Sequence, residues 1–160
     1  MSTLPTIKSK IVDFSEIRNL VSKWKSDGNR IVFTNGCFDV LHFGHVSYLA
    51  EAKDLGDKMI IGLNSDASVK RLKGETRPIN GQYERAVLLA ALQFVDAVVI
   101  FDEDTPEKLI KNVKPDFLVK GGDYTIDTIV GANFVMSYGG KVITIPLVEN
   151  FSSSIIIKKL

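Results

Sequence analysis

One cysteine, Cys37, stands in 160 residues. Neither an internal disulfide nor a cysteine-rich zinc centre can form from it alone. An excess of charge of one sign is also missing: 20 Lys and Arg against 19 Asp and Glu leave a formal net charge of +1. A bulk electrostatic grip on nucleic acid or on an anionic membrane needs a clear basic excess, so neither is expected as a partner. A local cationic pocket stays compatible with that balance. No apolar run approaches the ~20 residues of a membrane span. The opening Met1-Ser2-Thr3-Leu4-Pro5 has no apolar segment of signal-peptide length. A cytoplasmic protein is the expectation. Internal repeats, low-complexity stretches and interdomain linkers are lacking as well. The length suits one domain, residues 1–160, with 1–29 an N-terminal lead-in and helix and 30–160 the core.

What the chain does have is rhythm. Short β-branched runs, each apolar without alternation, read as strands buried on both faces: Arg30–Thr34, Lys58–Leu63, Ala97–Phe101, Asp116–Val119 and Lys141–Ile145. Helical spacing fills the gaps. A helix capped by Ser15 places Ile17, Leu20, Val21 and Trp24 on one face and ends at Gly28. Further helices are predicted over Val46–Leu55, Ala67–Leu72, Gln82–Phe94 and Ile126–Tyr138. Another begins at a Thr105 cap, has Pro106 in its first turn and runs to Val113. A last short helix runs from Ser152 to Lys158-Lys159. Residues 1–13 read as an extended lead-in and Lys73–Asn80 as a polar loop. Strand–helix alternation of this kind predicts an α/β fold, a Rossmann-like three-layer sandwich with about five parallel strands.

Ligands in such folds sit beyond the carboxyl ends of the strands. That rule selects Gly36, His42, Gly44 and His45 after the first strand, and Asn64, Ser65 and Asp66 after the second. Lys120, Gly121, Gly122 and Asp123 follow the fourth, and Ser152, Ser153 and Ser154 the fifth. His42 and His45 are the chain's two histidines, three apart around a glycine. A helix N-terminus beside them offers free amides and a positive dipole end to phosphate. Two imidazoles there can donate to phosphate oxygens; alternatively they are polar side chains satisfying a turn. Asp39 can cap the turn or help hold a metal–nucleotide complex, and the structural role is the stronger reading. Cys37 reads as a small buried hydrophobe. Lys70, Arg71, Lys73 and Arg77 form either a solvated basic face or a lid that neutralises triphosphate. Arg85, on an apolar helix, can simply pair with a carboxylate.

At His42-Phe43-Gly44-His45 the chain resembles the HxGH nucleotidyltransferase superfamily, and Asn35-Gly36-Cys37-Phe38-Asp39 fits its cytidylyltransferase-like branch. Thr34–Ser47, Asn64–Pro78, Val119–Tyr124 and Ser152–Lys159 together are most similar to the bacterial heptose 1-phosphate adenylyltransferases, often the C-terminal half of a two-domain enzyme. The resemblance implies attack of a sugar phosphate oxygen on the α-phosphorus of ATP, with pyrophosphate leaving and no covalent enzyme intermediate. By the same resemblance His42, His45 and Lys73 are catalytic. Gly36, Phe38, Asp39, Gly44, Arg85, Lys120, Gly121, Asp123, Ser152, Ser153 and Ser154 bind nucleotide. Asn64, Asp66 and Arg77 bind the acceptor. Mg²⁺ is expected to arrive with ATP and to have no ligand from the protein.

A stand-alone transferase and a homodimer are implied too. The runner-up is a glycerol-3-phosphate cytidylyltransferase-like enzyme using CTP. Leu147 stands where that group has arginine, which weakens it, and Ile155 replaces a residue that relatives often keep polar. A nucleotide-binding module without catalysis is the reading from another class, and the intact histidine pair argues against it.

Overall fold

A computed structural model of the chain describes residues 2–122 and 124–160. Asp123, expected at the nucleotide, lies outside the described residues. Five strands, β1 (Ile31–Gly36), β2 (Lys58–Asn64), β3 (Ala97–Phe101), β4 (Phe117–Gly121) and β5 (Lys141–Ile145), form one parallel sheet in the order β3-β2-β1-β4-β5. The chain winds outward from β1 to β3, crosses back, and continues through β4 to β5. The α/β, Rossmann-like class read from the alternation is the class observed.

The period of two along each strand divides the core. Ile31, Phe33, Ile60, Ala97 and Val99 face one layer; Val32, Met59, Ile61, Leu63 and Val98 face the other. The first layer is covered by α2 (Ile17–Ser26), α6 (Glu107–Val113) and α7 (Ala132–Ser137). Over the second lie α3 (Phe43–Lys53) and α5 (Gln82–Ala90), with α1 (Thr3–Lys8) against α5. Two further helices are α4 (Asp66–Lys73), after β2, and α8 (Ser153–Lys158), after β5.

Aspartates fix the amino ends of the strands. Asp57, Asp96 and Asp116 each precede a strand and accept a neighbouring strand's first amides, from Arg30 at 2.8 Å, Met59 at 2.8 Å and Ile31 at 2.7 Å. That end of the sheet is thereby closed, and the opposite end is left to the loops.

Several boundaries differ from the sequence expectation. Residues 2–13 of the expected lead-in are not simply extended. Thr3–Lys8 form α1, too short to show a periodicity, with Pro5 tolerated in its first turn. Val12 then donates to the Val98 carbonyl at 2.9 Å, so the lead-in borders the edge strand. Ser15 does not cap α2, and Thr105 does not cap α6; Glu16 and Pro106 hold those positions without side-chain cap bonds. The helix expected over Gln82–Phe94 stops at Ala90. Ile126–Tyr138 is broken: a 3₁₀ turn covers Ile126–Thr128 and α7 starts only at Ala132. Gly131 between them sits at φ 86, and a Cβ there would lie 2.8 Å from Ile110 Cδ1. The left-handed turn lets the chain pass close over α6, which continuous helix would not permit.

Candidate active site

The helix after β1 begins three residues earlier than its apolar spacing suggests, because His42 is its N-cap. The His42 Nδ1 accepts from the His45 amide at 3.3 Å. An accepting Nδ1 carries no proton, so the neutral His42 ring holds its proton on Nε2, the other nitrogen. One turn on, the His45 ring stacks on His42 with 3.7 Å between centroids and 20° between planes. Phe38 meets His45 edge-on at 5.0 Å. Phe38 is held at φ 44, a strained backbone for a residue with a side chain. Gly44 leaves room for this packing: a Cβ would lie 3.0 Å from Phe151 and 3.1 Å from the His42 ring.

Burial lowers the His45 pKa to about 4, with the His42 and Lys73 charges adding to the effect, and burial lowers His42 as well. Both rings are therefore neutral near pH 7. The His45 Nδ1 is buried without a protein partner.

Two cavities open beside this pair. The first, about 220 Å³, is lined by His42, Gly44, His45, Lys73, Leu147, Val148, Phe151 and the three serines Ser152, Ser153 and Ser154. The second, about 330 Å³, runs along the ends of β1 and β4 past Gly36, Cys37, Phe38, Asp39, Tyr48, Lys120, Gly121 and Tyr124. His45, Lys73, Leu147 and Ser153 line both. They form the waist of one two-lobed cleft. Ser153 fastens its wall through a 3.2 Å bond to the Val40 carbonyl.

The sequence expectation places most of its site residues in this cleft. Arg85 is the clearest correction. Its guanidinium is buried and bonds the Asn80, Cys37 and Asn64 carbonyls at 2.7–2.9 Å and the Asp66 carboxylate at 2.8 Å. It holds three loops together and does not line the cleft. Asn64 and Asp66 are committed to the same region: the Asn64 amide donates to Ser68, and Asp66 pairs with Arg85. Neither they nor Arg77 lines the cleft.

Asp39 is a similar case. It lines the second lobe, yet its carboxylate accepts from Arg77 Nε at 2.5 Å and from the Ile79 and Asn80 amides at 2.7 and 3.1 Å. Burial pushes the Asp39 acid up, but the bonds from Asn80, Arg77 and Ile79 outweigh it and hold the acid below its ordinary value. The structural role is the one its contacts show. That carboxylate is engaged, and among the described residues no group of three or more His, Cys, Asp or Glu is placed to hold a metal ion.

Sequence reasoning missed Tyr48. The Thr34 hydroxyl donates to the Tyr48 hydroxyl at 2.6 Å, which itself donates to the Val119 carbonyl at 3.1 Å. Helix α3 is thereby tied to β1 and β4 under the cleft floor. Its place three residues after His45, on one helical face, was the available signal. Leu147, Val148 and Phe151 were missed as walls because nothing in their pattern distinguishes them from loop.

The parallel α/β sheet thus carries paired imidazoles and a cleft lined by Lys73 and Lys120 beyond its carboxyl edge. Residues 33–159 match the cytidylyltransferase-like family; the chain belongs to it. It is 52% identical over 157 residues to the bifunctional protein HldE of Koribacter versatilis, an alignment that takes in 98% of this chain and 32% of that protein. The chain thus spans about a third of the length of the curated relatives it matches. Among solved structures, it is similar to the lipopolysaccharide core biosynthesis protein of Thermoplasma volcanium, with a TM-score of 0.61 and 30% identity over 78% of this chain and 100% of that one. The pantoate-beta-alanine ligase of Francisella tularensis shares the fold at a TM-score of 0.63 and 16% identity, over 94% of this chain and 78% of that one. Among the described residues no helix is long and apolar enough to cross a membrane.

Proposed function

We propose that the chain transfers an adenylyl group from ATP to a heptose 1-phosphate, giving ADP-heptose and pyrophosphate for lipopolysaccharide core precursors. The observation that carries this reading is the waist of the cleft: His45, Lys73 and Ser153 adjoin both lobes, as an α-phosphate between two ligands requires. The four sequence blocks resembling heptose 1-phosphate adenylyltransferases, and the kinship with a lipopolysaccharide core biosynthesis protein, favour the sugar phosphate.

In this reading an acceptor phosphate oxygen attacks the α-phosphorus in line. The bond from the α-phosphorus to the α,β-bridging oxygen breaks, and its electron pair leaves with pyrophosphate. The attacking oxygen is already anionic, so no base is needed. Neutral His42 and His45 donate N–H groups to the phosphates, and Lys73 and the serines add charge and hydroxyls where negative charge accumulates. Mg²⁺ enters as part of the ATP substrate, since the Asp39 carboxylate is taken by Arg77 and two amides. The same reading carries a homodimer in the cytoplasm. Sedimentation of the purified chain tests the assembly; the exposed apolar face of Leu4, Tyr83 and Leu88 on α1 and α5 is compatible with one.

The deciding experiment is pyrophosphate release with ATP, CTP, GTP and UTP, each offered with several sugar phosphates and with glycerol 3-phosphate. ATP with heptose 1-phosphate is expected to be preferred. Turnover of CTP with glycerol 3-phosphate, and none of ATP with heptose 1-phosphate, overturns the assignment.

A further inference from the structure

The two lobes of the cleft are chemically unlike, and the difference gives them separate roles. In-line displacement places the attacking and leaving oxygens on opposite sides of the α-phosphorus. If the α-phosphate lies at the waist, the lobe of His42, Gly44 and the three serines takes the leaving pyrophosphate. The acceptor must then enter from the lobe of Cys37, Tyr48, Lys120 and Tyr124. A sugar phosphate brings two negative charges into that lobe, and Lys120 is the cation there that the waist does not share.

We propose that Lys120 binds the phosphate of the acceptor and sets the enzyme's demand for a phosphorylated one. The inference rests on the reading of the protein as a nucleotidyltransferase acting on a sugar phosphate, and it moves Lys120 from the nucleotide side to the acceptor side. Lys120 sits near the end of β4, in register with Thr144 of β5, where the sheet's carboxyl edge meets the lobe. Cys37, at the end of β1, is its electrostatic neighbour. Burial holds the ammonium at about 8 in the free protein. A cation so poorly solvated gains most from an incoming anion. Cys37, Asp39, His45, Tyr48, Lys73 and Tyr124 are the other titratable groups lining the lobe. Burial raises the Cys37 thiol and lowers His45 to about 4. Loss of a proton from Lys120 above pH 8 is therefore expected to weaken acceptor binding.

The test compares wild type with Lys120→Gln and Lys120→Arg. Lys120→Gln should raise KM for heptose 1-phosphate by roughly 10- to 100-fold. Its kcat at saturating acceptor and its affinity for α,β-methylene ATP by calorimetry should be little changed. Lys120→Arg should recover most of the loss and move the alkaline rise in KM upward. A ³¹P NMR titration of inorganic phosphate, with the waist and the serine lobe filled by the ATP analogue, reads the same site without turnover. Phosphate should bind wild type and Lys120→Arg and bind Lys120→Gln at least about tenfold more weakly. Equal phosphate binding by wild type and Lys120→Gln, or a loss of ATP-analogue affinity as large as the loss for acceptor, overturns the assignment. Wild type that binds phosphate through Lys120 yet turns over no sugar phosphate overturns the substrate reading alone.

Discussion

The imidazoles of His42 and His45 lie face to face at 3.7 Å, and the His45 amide is bonded to the His42 ring. Each ring fixes the other's place. Two charged rings at that distance would repel strongly, so the stack favours neutral donors until an anion arrives. The pair is thus prepared for phosphate by geometry rather than by charge.

Removal of the His45 ring tests the catalytic role. A fixed donor acts where charge accumulates in the transition state and stabilises the ground state less. His45→Ala is expected to lower kcat by roughly 10²–10³-fold while ATP affinity changes little. Single-turnover kinetics and thermal melting on the same preparation check this. A folded variant with near wild-type kcat would make His45 a turn residue only.

Acid titration reads the same ring through stability. The folded His45 pKa is about 4 against an ordinary value of 6.5. Between those values the unfolded chain takes up a proton that the folded one refuses. Stability is therefore full above about pH 6.5 and falls as pH drops toward 4. Urea midpoints at several pH values should show that slope in wild type and a shallower one in His45→Asn.

Asp39 and Arg77 form a buried pair, their side chains 1% and 15% exposed. Asp39→Ala removes the acceptor of three bonds and leaves the guanidinium without its partner. A loss of about 3–5 kcal/mol is expected. Arg71→Ala breaks an exposed pair with Asp104 and should cost no more than about 1 kcal/mol. Chemical denaturation of both variants would show whether burial separates them; equal losses would count against it.

Gly44→Ala sets helix propensity against the site. Alanine favours helix by about 1 kcal/mol over glycine. Its Cβ would press on the His42 ring and on Phe151. Unchanged or raised melting temperature with a marked fall in kcat is expected. Normal activity would show that the close approach has no catalytic consequence.

The fold was legible because burial on both faces writes itself as apolar runs: Ile31-Val32-Phe33 and Met59-Ile60-Ile61 admit little else. The histidine block was legible for a different reason, its place at the end of the first strand. The helix capped by His42 was not, since histidine caps rarely and Phe43 is exposed. The break at Gly131 depends on α6, a partner distant in sequence, so local spacing gave no sign of it. Arg85 misled most. A cation beside phosphate loops and a cation that staples those loops look alike until the Cys37, Asn64 and Asn80 carbonyls are in place.

From Pro146 onward the chain contributes no buried side chain to the described core, although residues 147–154 wall the first lobe. Sheet and wall are consequently held by unequal forces. On warming, the wall should loosen while the sheet is intact, so inactivation would precede the loss of helical signal and reverse on cooling. The temperature at which this protein works would then be set by its last strand's exit, not by its core.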